Sequence, residues 1–348
     1  MKKISARLLL CLLSTVWLAR AGNPKLVTGE IHGAKFTIAA PEKWNGCLLL
    51  LAHGFRPDAA PLLADLDTND VQFAALLREG WIIASTSYRR NGLIIRDAIA
   101  DLDALQTEVA RRWGRPRQSF VQGESMGGTI AMLIAERGGT NYTAALAIGA
   151  ALQAQEDTNP WPPTGQPKLP LLFLSNRTEA NGPTFYTKTV PVSPKPAVWR
   201  VDRDGHVNVN SAERKQALAG LVAWADGKEP VRERDGTVSP KPGPSLAKFT
   251  KDTATAVVRK VNPFYGNLTL GFQAKDLEHL GLAPRSHFHL NFASGEVTVL
   301  WGADFDDVPR GEWVAFLDAE GWLFVSRNWA DAAKSAQVKM GDRAILSR

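Results

Sequence analysis

The sequence predicts an α/β domain with a mostly parallel central sheet and helices on both faces, followed by a small all-β barrel domain. Three features lead to this fold class. Apolar strand-like runs alternate with amphipathic helical stretches over residues 25–226, as in sheets whose strands are joined by crossover helices. A Pro-rich spacer, GTVSPKPGPS at 236–245, then ends the alternation. Beyond it, short apolar runs are broken by Gly and Asp, with little helical periodicity.

The elements of the first domain can be placed in chain order. KLVTGEIHGAKFTIAAP predicts an opening hairpin, and GCLLLLAHG predicts a fully buried strand. NDVQFAALLREG predicts a helix that begins at Asn69 or Asp70 and ends before Gly80. The later elements are strand WIIASTSY, helix LIIRDAIADLDALQTEVARRWG, strand QSFVQ, helix MGGTIAMLIAERGG, strands AALAIGA, LPLLFL and AVWRV, and helix SAERKQALAGLVAWADG.

The first residues carry an export signature. Residues 1–21 have a basic start, an apolar middle and the small-x-small pattern Ala19-Arg20-Ala21, which predicts a secretory signal cleaved after Ala21 and a periplasmic or secreted protein. The apolar middle is too short for a stable membrane anchor. Cleavage would remove four basic residues and lower the formal net charge from +6 to +2. The charge therefore does not indicate a nucleic-acid partner.

We accordingly divide the chain into a signal peptide at 1–21, an α/β domain at 22–227, a Pro-rich linker at 228–254 and a β-barrel domain at 255–348. Of the two cysteines, Cys11 lies in the signal peptide and Cys47 in a predicted buried strand. We therefore expect no internal disulfide and an inert core thiol at Cys47.

A serine stands between two glycines at the end of one predicted strand. Gly123-Glu124-Ser125-Met126-Gly127 follows SFVQ, which predicts a strand, and precedes a predicted helix. A sharp turn between strand and helix exposes a serine oxygen at the end of a sheet, and the flanking glycines allow the turn to pack closely. The context therefore predicts that Ser125 is a nucleophile rather than a structural turn residue.

A serine hydroxyl needs a base to take its proton, and the base needs a third group to orient it. His206 follows the last core strand in the loop DRDGHVNVN and is the predicted base; the alternative is a loop histidine bonded to Asp202 or Asp204. Glu179, in the loop PLLFLSNRTEANGP, is the predicted acid. Asp157, Asp202 and Asp204 remain alternatives for that role.

Acyl transfer also needs donors for the negative oxygen of the intermediate. The amide of Met126 lies at the start of the helix that follows Ser125. In the loop containing His53-Gly54-Phe55, Gly54 allows the chain to fold back, which makes the amide of Phe55 the second predicted donor. Two backbone amides therefore form the predicted oxyanion hole.

With GESMG, HGF, Glu179 and DGH in the order nucleophile, acid, histidine, residues 25–226 resemble the α/β-hydrolase fold family. STSYRRNG is similar to secreted bacterial esterase or peptidase relatives of that family. The resemblance implies hydrolysis of an ester, thioester or amide through an acyl-enzyme, without metal or cofactor. The family usually has Asp where this chain has Glu179. We expect an exported serine esterase acting on a small-molecule ester; a serine peptidase of the prolyl-oligopeptidase-like type is the alternative.

The tail resembles a different family. NPFYGNLTL and DFDDVPRGEWVAFLDAEGWLFVSRNWADAAKSAQVKMGDRAIL are similar to the C-terminal β-barrel domain of the S-adenosylmethionine hydrolases and halogenases. That resemblance implies an adenine-facing set, namely Tyr265, Asn267, Ser326 and Arg327. The N-terminal domain of that family is absent here, so a scaffold for packing or assembly is the alternative to an adenosine-binding or S-adenosyl-binding protein.

Two further signals are weaker. His287 and His289 have metal-ligand spacing on a predicted strand, but without a third ligand nearby we expect an ordinary exposed alternation. Trp161 and the pair Phe185-Tyr186 fall in predicted loops after core strands, where they could grip a substrate or simply pack.

Overall fold

Two separate sheets organise the protein in the computed structural model, which describes residues 23–152, 162–189, 191 and 193–348. The predicted signal peptide and the loop residues Asp157 and Trp161 lie outside these described residues. Within them, no helix is both long enough and apolar enough to cross a membrane.

The first sheet is built from strands that are mainly parallel. In the described part of the chain its strands are β1 (Lys25–Ile31), β2 (Ala34–Ala40), β3 (Cys47–Ala52), β4 (Ile82–Thr86), β5 (Gln118–Glu124), β6 (Ala144–Ile148), β7 (Leu171–Asn176), β8 (Ala197–Val201) and β9 (Glu233–Asp235). Their spatial order is β1-β2-β4-β3-β5-β6-β7-β8-β9. The β1–β2 and β2–β4 pairs are antiparallel, and all later pairs are parallel. The predicted mostly parallel sheet is confirmed.

Helices cover both faces of this sheet. They are α1 (Val71–Arg78), α2 (Ile95–Trp113), α3 (Met126–Arg137), α4 (Asn181–Thr189) and α5 (Ser211–Ala225). One apolar core lies between the sheet and the buried faces of α2 and α3, and a second lies under α1 and α5. The central strands are buried on both faces, which explains their continuous apolar sequences. Cys47 is buried at the start of β3, and burial raises the pKa of its thiol.

The sequence places the start of α1 correctly but misses α4. Asp70 begins α1, with Oδ1 accepting from the amide of Gln72 at 2.9 Å. The loop predicted around Phe185-Tyr186 is wrong, because residues 181–189 form α4. Pro183 lies in its first turn, where no amide hydrogen is required. Tyr186 is buried edge-on against Phe173 at 5.4 Å between ring centroids, whereas Phe185 remains exposed.

The second sheet closes into a barrel. Among the described residues its strands are β10 (Lys248–Phe249), β11 (Thr253–Val261), β12 (Leu268–Leu270), β13 (His287–Phe292), β14 (Gly295–Trp301), β15 (Trp313–Leu317), β16 (Leu323–Arg327) and β17 (Arg343–Ser347). Their order is β10-β11-β12-β16-β15-β14-β13-β17, and the β11–β17 pairing closes the ring. Two short helices, α6 (Ala274–His279) and α7 (Ala332–Ala336), and a 3-10 turn at Phe305–Asp307 complete this domain. The predicted small barrel is confirmed.

Two further details concern the predicted linker and the predicted histidine pair. The strands β9 and β10 lie within residues 228–254, the predicted linker, and β9 extends the first sheet. On β13, His289 Nδ1 stands 3.4 Å from Glu296 Oε1. In the described ranges, no group of three or more metal-ligating side chains comes together.

A buried ion pair connects the loop that carries His206 to α5. Glu213 is fully buried and accepts from the two terminal nitrogens of Arg203, each at 3.0 Å. Its carboxylate also accepts from the amide of Asn210 at 2.7 Å, and the Asn210 side chain accepts from the amide of Glu213 at 2.9 Å, which forms a capping box. Glu213 therefore connects the loop that carries His206 to the start of α5.

We predict that Glu213→Ala lowers the free energy of unfolding by about 3 kcal/mol, because it leaves the largely buried Arg203 guanidinium without its carboxylate partner. The matched control is Glu233→Ala, which removes an exposed pair with Arg200 at 3.3 Å and should cost at most about 1 kcal/mol. Urea unfolding of both variants measures the difference. Equal losses would contradict the role given to Glu213.

Candidate active site

Ser125 sits in a strained turn between β5 and α3. Its backbone has φ +57° and ψ −120°, a region that residues other than glycine rarely adopt and that costs about 1–3 kcal/mol. Its amide donates to the carbonyl of Ile148 at 2.9 Å, which ties the turn to β6. The turn places the serine side chain at the carboxyl end of the parallel sheet, where it is partly exposed.

The glycines around Ser125 are required by contacts with backbone atoms. A Cβ atom on Gly123 would overlap the carbonyl group of Gly127, and one on Gly127 would overlap the carbonyl group of Ala52. Because the obstructing atoms are backbone, neighbouring side chains cannot relieve the overlap. The close approach of β5, α3 and β3 therefore depends on both glycines, which is the physical reason for the GESMG pattern.

The structure brings Ser125, His206 and Glu179 together from three separate loops. His206 Nε2 lies 2.7 Å from Ser125 Oγ, and His206 Nδ1 lies 2.6 Å from Glu179 Oε2. The second oxygen of Glu179 accepts from the amide of Val207 at 2.9 Å. An ionised carboxylate only accepts, so Nδ1 carries the ring proton and Nε2 is left to accept from the serine hydroxyl.

The alternative acids have other partners. Asp202 and Asp204 both bind the guanidinium of Arg177, at 2.6 Å and 2.7 Å. His206 is hydrogen-bonded to Glu179 instead of Asp202 or Asp204, so the alternative of a loop histidine bonded to a neighbouring aspartate does not apply. Asp157 lies outside the described residues. Of the candidate acids that the structure describes, Glu179 is the one hydrogen-bonded to His206.

Several carboxylates act on the His206 ring. Burial lowers its pKa, but the hydrogen bond and charge of Glu179, with smaller contributions from Asp304 and Glu124, raise it by more. The net effect places the pKa above its ordinary value of 6.5. Asp304 belongs to the barrel domain, so the second domain contributes charge to the environment of His206. Nothing in the local sequence around Asp304 connects it to a site in the first domain, so this residue could not be predicted from the sequence.

The loop after β3 lies against the serine. A Cβ atom on Gly54 would stand 3.1 Å from the carbonyl oxygen of Glu124 and 3.2 Å from Cβ of Ser125, so glycine allows the close approach. Within the described residues, the amides of Phe55 and Met126 donate to no protein group. Met126 is the first residue of α3, where amides have no acceptor inside the helix. Both amides are therefore available to a substrate oxygen.

His53 supports this loop, a role that was not predicted from the sequence. Its ring stacks on Tyr88 with centroids 3.9 Å apart, and Nδ1 lies 2.7 Å from the carbonyl of Gly54. Burial, with a smaller effect from the Arg56 charge, lowers the pKa of His53 to about 4. The ring is neutral at neutral pH and holds the loop by packing and hydrogen bonding. Its position directly before Gly54 was the available signal.

Each of the four predicted adenine-facing residues makes at least one side-chain hydrogen bond within the protein. Ser326 Oγ donates to Asn267 Oδ1 at 2.7 Å, so these two residues lie together. Arg327 donates to the carbonyl of Gly311 at 2.6 Å and to Ser335 Oγ at 2.7 Å. The hydroxyl of Tyr265 instead reaches the first domain and donates to a carbonyl there, as described below.

Comparison with known families gives two matches. Residues 59–204 match the family described as serine aminopeptidase, S33. Residues 264–345 match the SAM (S-adenosylmethionine) hydroxide adenosyltransferase C-terminal domain. No curated protein matches the chain.

Solved structures show weaker similarity. S-formylglutathione hydrolase from Staphylococcus aureus is 15% identical, covering 59% of this chain and 98% of its own, with a TM-score of 0.41. An esterase from Pyrococcus furiosus is 14% identical over 59% of this chain and 89% of its own, with a TM-score of 0.40. This chain covers 49% of an uncharacterized conserved protein from Thermotoga maritima, at 22% identity over 37% of this chain and a TM-score of 0.28. The assignment of the domains therefore comes from the sheet topology and the two family matches.

The charges around His206 predict a pH dependence. A protonated His206 cannot accept the serine proton, so activity is lost as the pH falls through the pKa of the ring. Because that pKa is raised, we expect the acid limb of kcat/KM to have its midpoint above pH 6.5. Asp304→Asn should move the limb to lower pH. Asp306→Asn, an exposed neighbour in the same turn, is the control and should leave the limb in place; a limb that Asp304→Asn does not move would contradict this account.

Proposed function

Because this chain joins an α/β-hydrolase domain of the serine hydrolase class to an S-adenosylmethionine hydroxide adenosyltransferase C-terminal domain, we propose that it hydrolyses a carboxylic ester through an acyl-enzyme on Ser125. One observation supports this most directly. The hydrogen-bonded chain from Ser125 Oγ through His206 to Glu179, at 2.7 Å and 2.6 Å, is the arrangement that activates a serine.

In the proposed acylation step, Ser125 Oγ attacks the carbonyl carbon while His206 Nε2 takes the hydroxyl proton. The carbonyl oxygen becomes negative and accepts from the amides of Phe55 and Met126. Glu179 stabilises the protonated ring and keeps Nε2 directed at the serine. The tetrahedral intermediate then expels the alcohol, which receives the proton from Nε2, and leaves the acyl group on Ser125.

Deacylation repeats the sequence with water. His206 Nε2 takes a proton from a water molecule that attacks the acyl carbon, and Ser125 leaves as its hydroxyl after receiving that proton. Both Ser125 and His206 are partly exposed, so water can reach the acyl-enzyme. Every proton transfer in the cycle is made at one nitrogen of one ring, and the acid and alcohol products leave the protein unchanged.

An amide is the second candidate substrate. The first domain matches a family described as a serine aminopeptidase, and such an enzyme must accommodate a substrate ammonium group. The carboxylates of Glu124, which directly precedes Ser125 in the chain, and of Asp304 both act on His206, and these are the groups such an ammonium could approach. We place the ester first because an alkoxide leaves the tetrahedral intermediate with less help from a general acid than an amine does.

We predict that Ser125→Ala lowers kcat by about 10⁴-fold or more, because it removes the group that forms the acyl-enzyme. Purified protein would be assayed against short acyl p-nitrophenyl esters and matched aminoacyl anilides, and labelled with a fluorophosphonate. The wild type and the control Ser294→Ala should be labelled and active, and Ser125→Ala should be neither. Equal labelling of Ser125→Ala would contradict the proposal, and faster turnover of anilides than of esters would favour the aminopeptidase.

The acid can be tested by a matched pair of amide substitutions. Glu179→Gln should lower kcat by about 10²–10⁴-fold, because the amide no longer stabilises the protonated ring. Asp202→Asn should leave kcat unchanged, since Asp202 binds Arg177 instead of His206. Steady-state kinetics on the best ester decides. Full activity in Glu179→Gln, together with loss in Asp202→Asn or Asp204→Asn, would assign the acid elsewhere.

A further inference from the structure

The barrel domain contacts two of the loops that form the candidate site of the first domain. We call residues 53–57 the oxyanion loop and residues 203–211 the histidine loop. The segment Phe264-Tyr265 of the barrel contacts the oxyanion loop. Residues 317–320, at the end of β15, contact the histidine loop. The site in the first domain therefore has two of its loops held from the second domain.

Tyr265 makes the contact nearest to the chemistry. Its hydroxyl donates to the carbonyl oxygen of Phe55, the residue whose amide is the predicted oxyanion donor. The N–H of Phe55 belongs to the preceding peptide unit, whose Gly54 carbonyl lies 2.7 Å from His53 Nδ1. His53 and Tyr265 therefore hold the peptide units on either side of the Phe55 Cα, which limits rotation of the N–H between them. Tyr265 is 36% exposed, and the partial burial of its ring raises the pKa of the hydroxyl, which therefore keeps its proton and remains a donor at neutral pH.

Arg56 is held at the next position of the oxyanion loop. Its guanidinium lies 3.6 Å from the centre of the Phe264 ring, although only 4% of Arg56 is exposed. The same side chain donates to the carbonyl of Leu63 at 2.6 Å, and the carbonyl of Arg56 accepts from the amide of Gly92 at 3.0 Å. A buried cation with partners in both domains therefore connects the oxyanion loop to the barrel.

The histidine loop is held by a carboxylate of the barrel. Glu320 Oε1 accepts from both the amide and the hydroxyl of Ser211, each at 2.9 Å. Ser211 is the first residue of α5, where a negative charge is favourable. Asn208 also donates to the carbonyl of Leu317 at 3.4 Å. These contacts lie within five residues of His206.

We propose that the barrel is a working part of the hydrolase, in which Tyr265 is a positioning residue for the oxyanion loop. The inference rests on the proposed function, because it assigns a role within the same site. Because its single proton is donated to Phe55, the Tyr265 hydroxyl cannot at the same time donate a hydrogen bond to an adenine. The barrel acts here as a scaffold for the site of its neighbour.

The test compares Tyr265→Phe with Tyr142→Phe in the full-length protein. Each variant deletes one tyrosine hydroxyl, and that of Tyr142 donates to Asp103 at 2.9 Å, away from the site. Tyr265→Phe should lower kcat for the ester by about 10-fold to 100-fold, because a misplaced oxyanion donor costs mainly in the transition state. KM should change less than twofold. Tyr142→Phe should keep the wild-type kcat.

A second measurement does not depend on turnover. Hydrogen-deuterium exchange of peptides covering residues 53–57 should be faster in Tyr265→Phe than in the wild type, and unchanged in Tyr142→Phe. Wild-type kcat together with wild-type exchange in Tyr265→Phe would overturn the proposed role of Tyr265. If the wild type hydrolyses no substrate and is not labelled by the fluorophosphonate, the proposed function fails. The exchange comparison then decides alone whether Tyr265 holds the oxyanion loop. Faster exchange in Tyr265→Phe supports that role, and equal exchange overturns it.

Discussion

The site depends on the backbone turn at Ser125. A positive φ at a residue with a side chain is unfavourable, and here it accompanies the close packing of β5, α3 and β3 around the turn. That packing requires glycine at positions 123 and 127. The same turn lifts the serine oxygen out of the sheet and leaves the amide of Met126 without an acceptor in the helix. One strained turn thus provides both the nucleophile and a donor for the oxygen it would make negative.

The other groups reach the serine because parallel strands end at one edge of the sheet. The loops after β3, β7 and β8 carry Phe55, Glu179 and His206, and each loop is fixed by contacts of its own. The histidine loop is held by the buried pair of Arg203 with Glu213 and by Glu320 of the barrel. Convergence of distant residues at this edge is a property of the fold, whereas their alignment within 3 Å depends on these supports.

The parts of the structure that could be predicted from the sequence are those governed by local patterns. Continuous apolar runs predict the buried strands, and GESMG between a strand and a helix predicts the turn at Ser125, because both follow from short-range sterics and burial. The helix over 181–189 was not predicted, because the local sequence Asn-Gly-Pro is typical of a loop. The helix is stabilised by the packing of Tyr186 against Phe173, a contact between residues that the local pattern does not connect. Contacts between domains, such as Tyr265 with Phe55, could not be predicted: residues 210 positions apart meet through packing that no local pattern records.

A crystal structure of the protein after reaction with a fluorophosphonate would test the central claim most directly. The account predicts a covalent bond from Ser125 Oγ to phosphorus, with the phosphoryl oxygen within about 3 Å of the amides of Phe55 and Met126, and His206 still bonded to Glu179. A phosphorus atom attached to another residue, or a phosphoryl oxygen directed away from both amides, would contradict it.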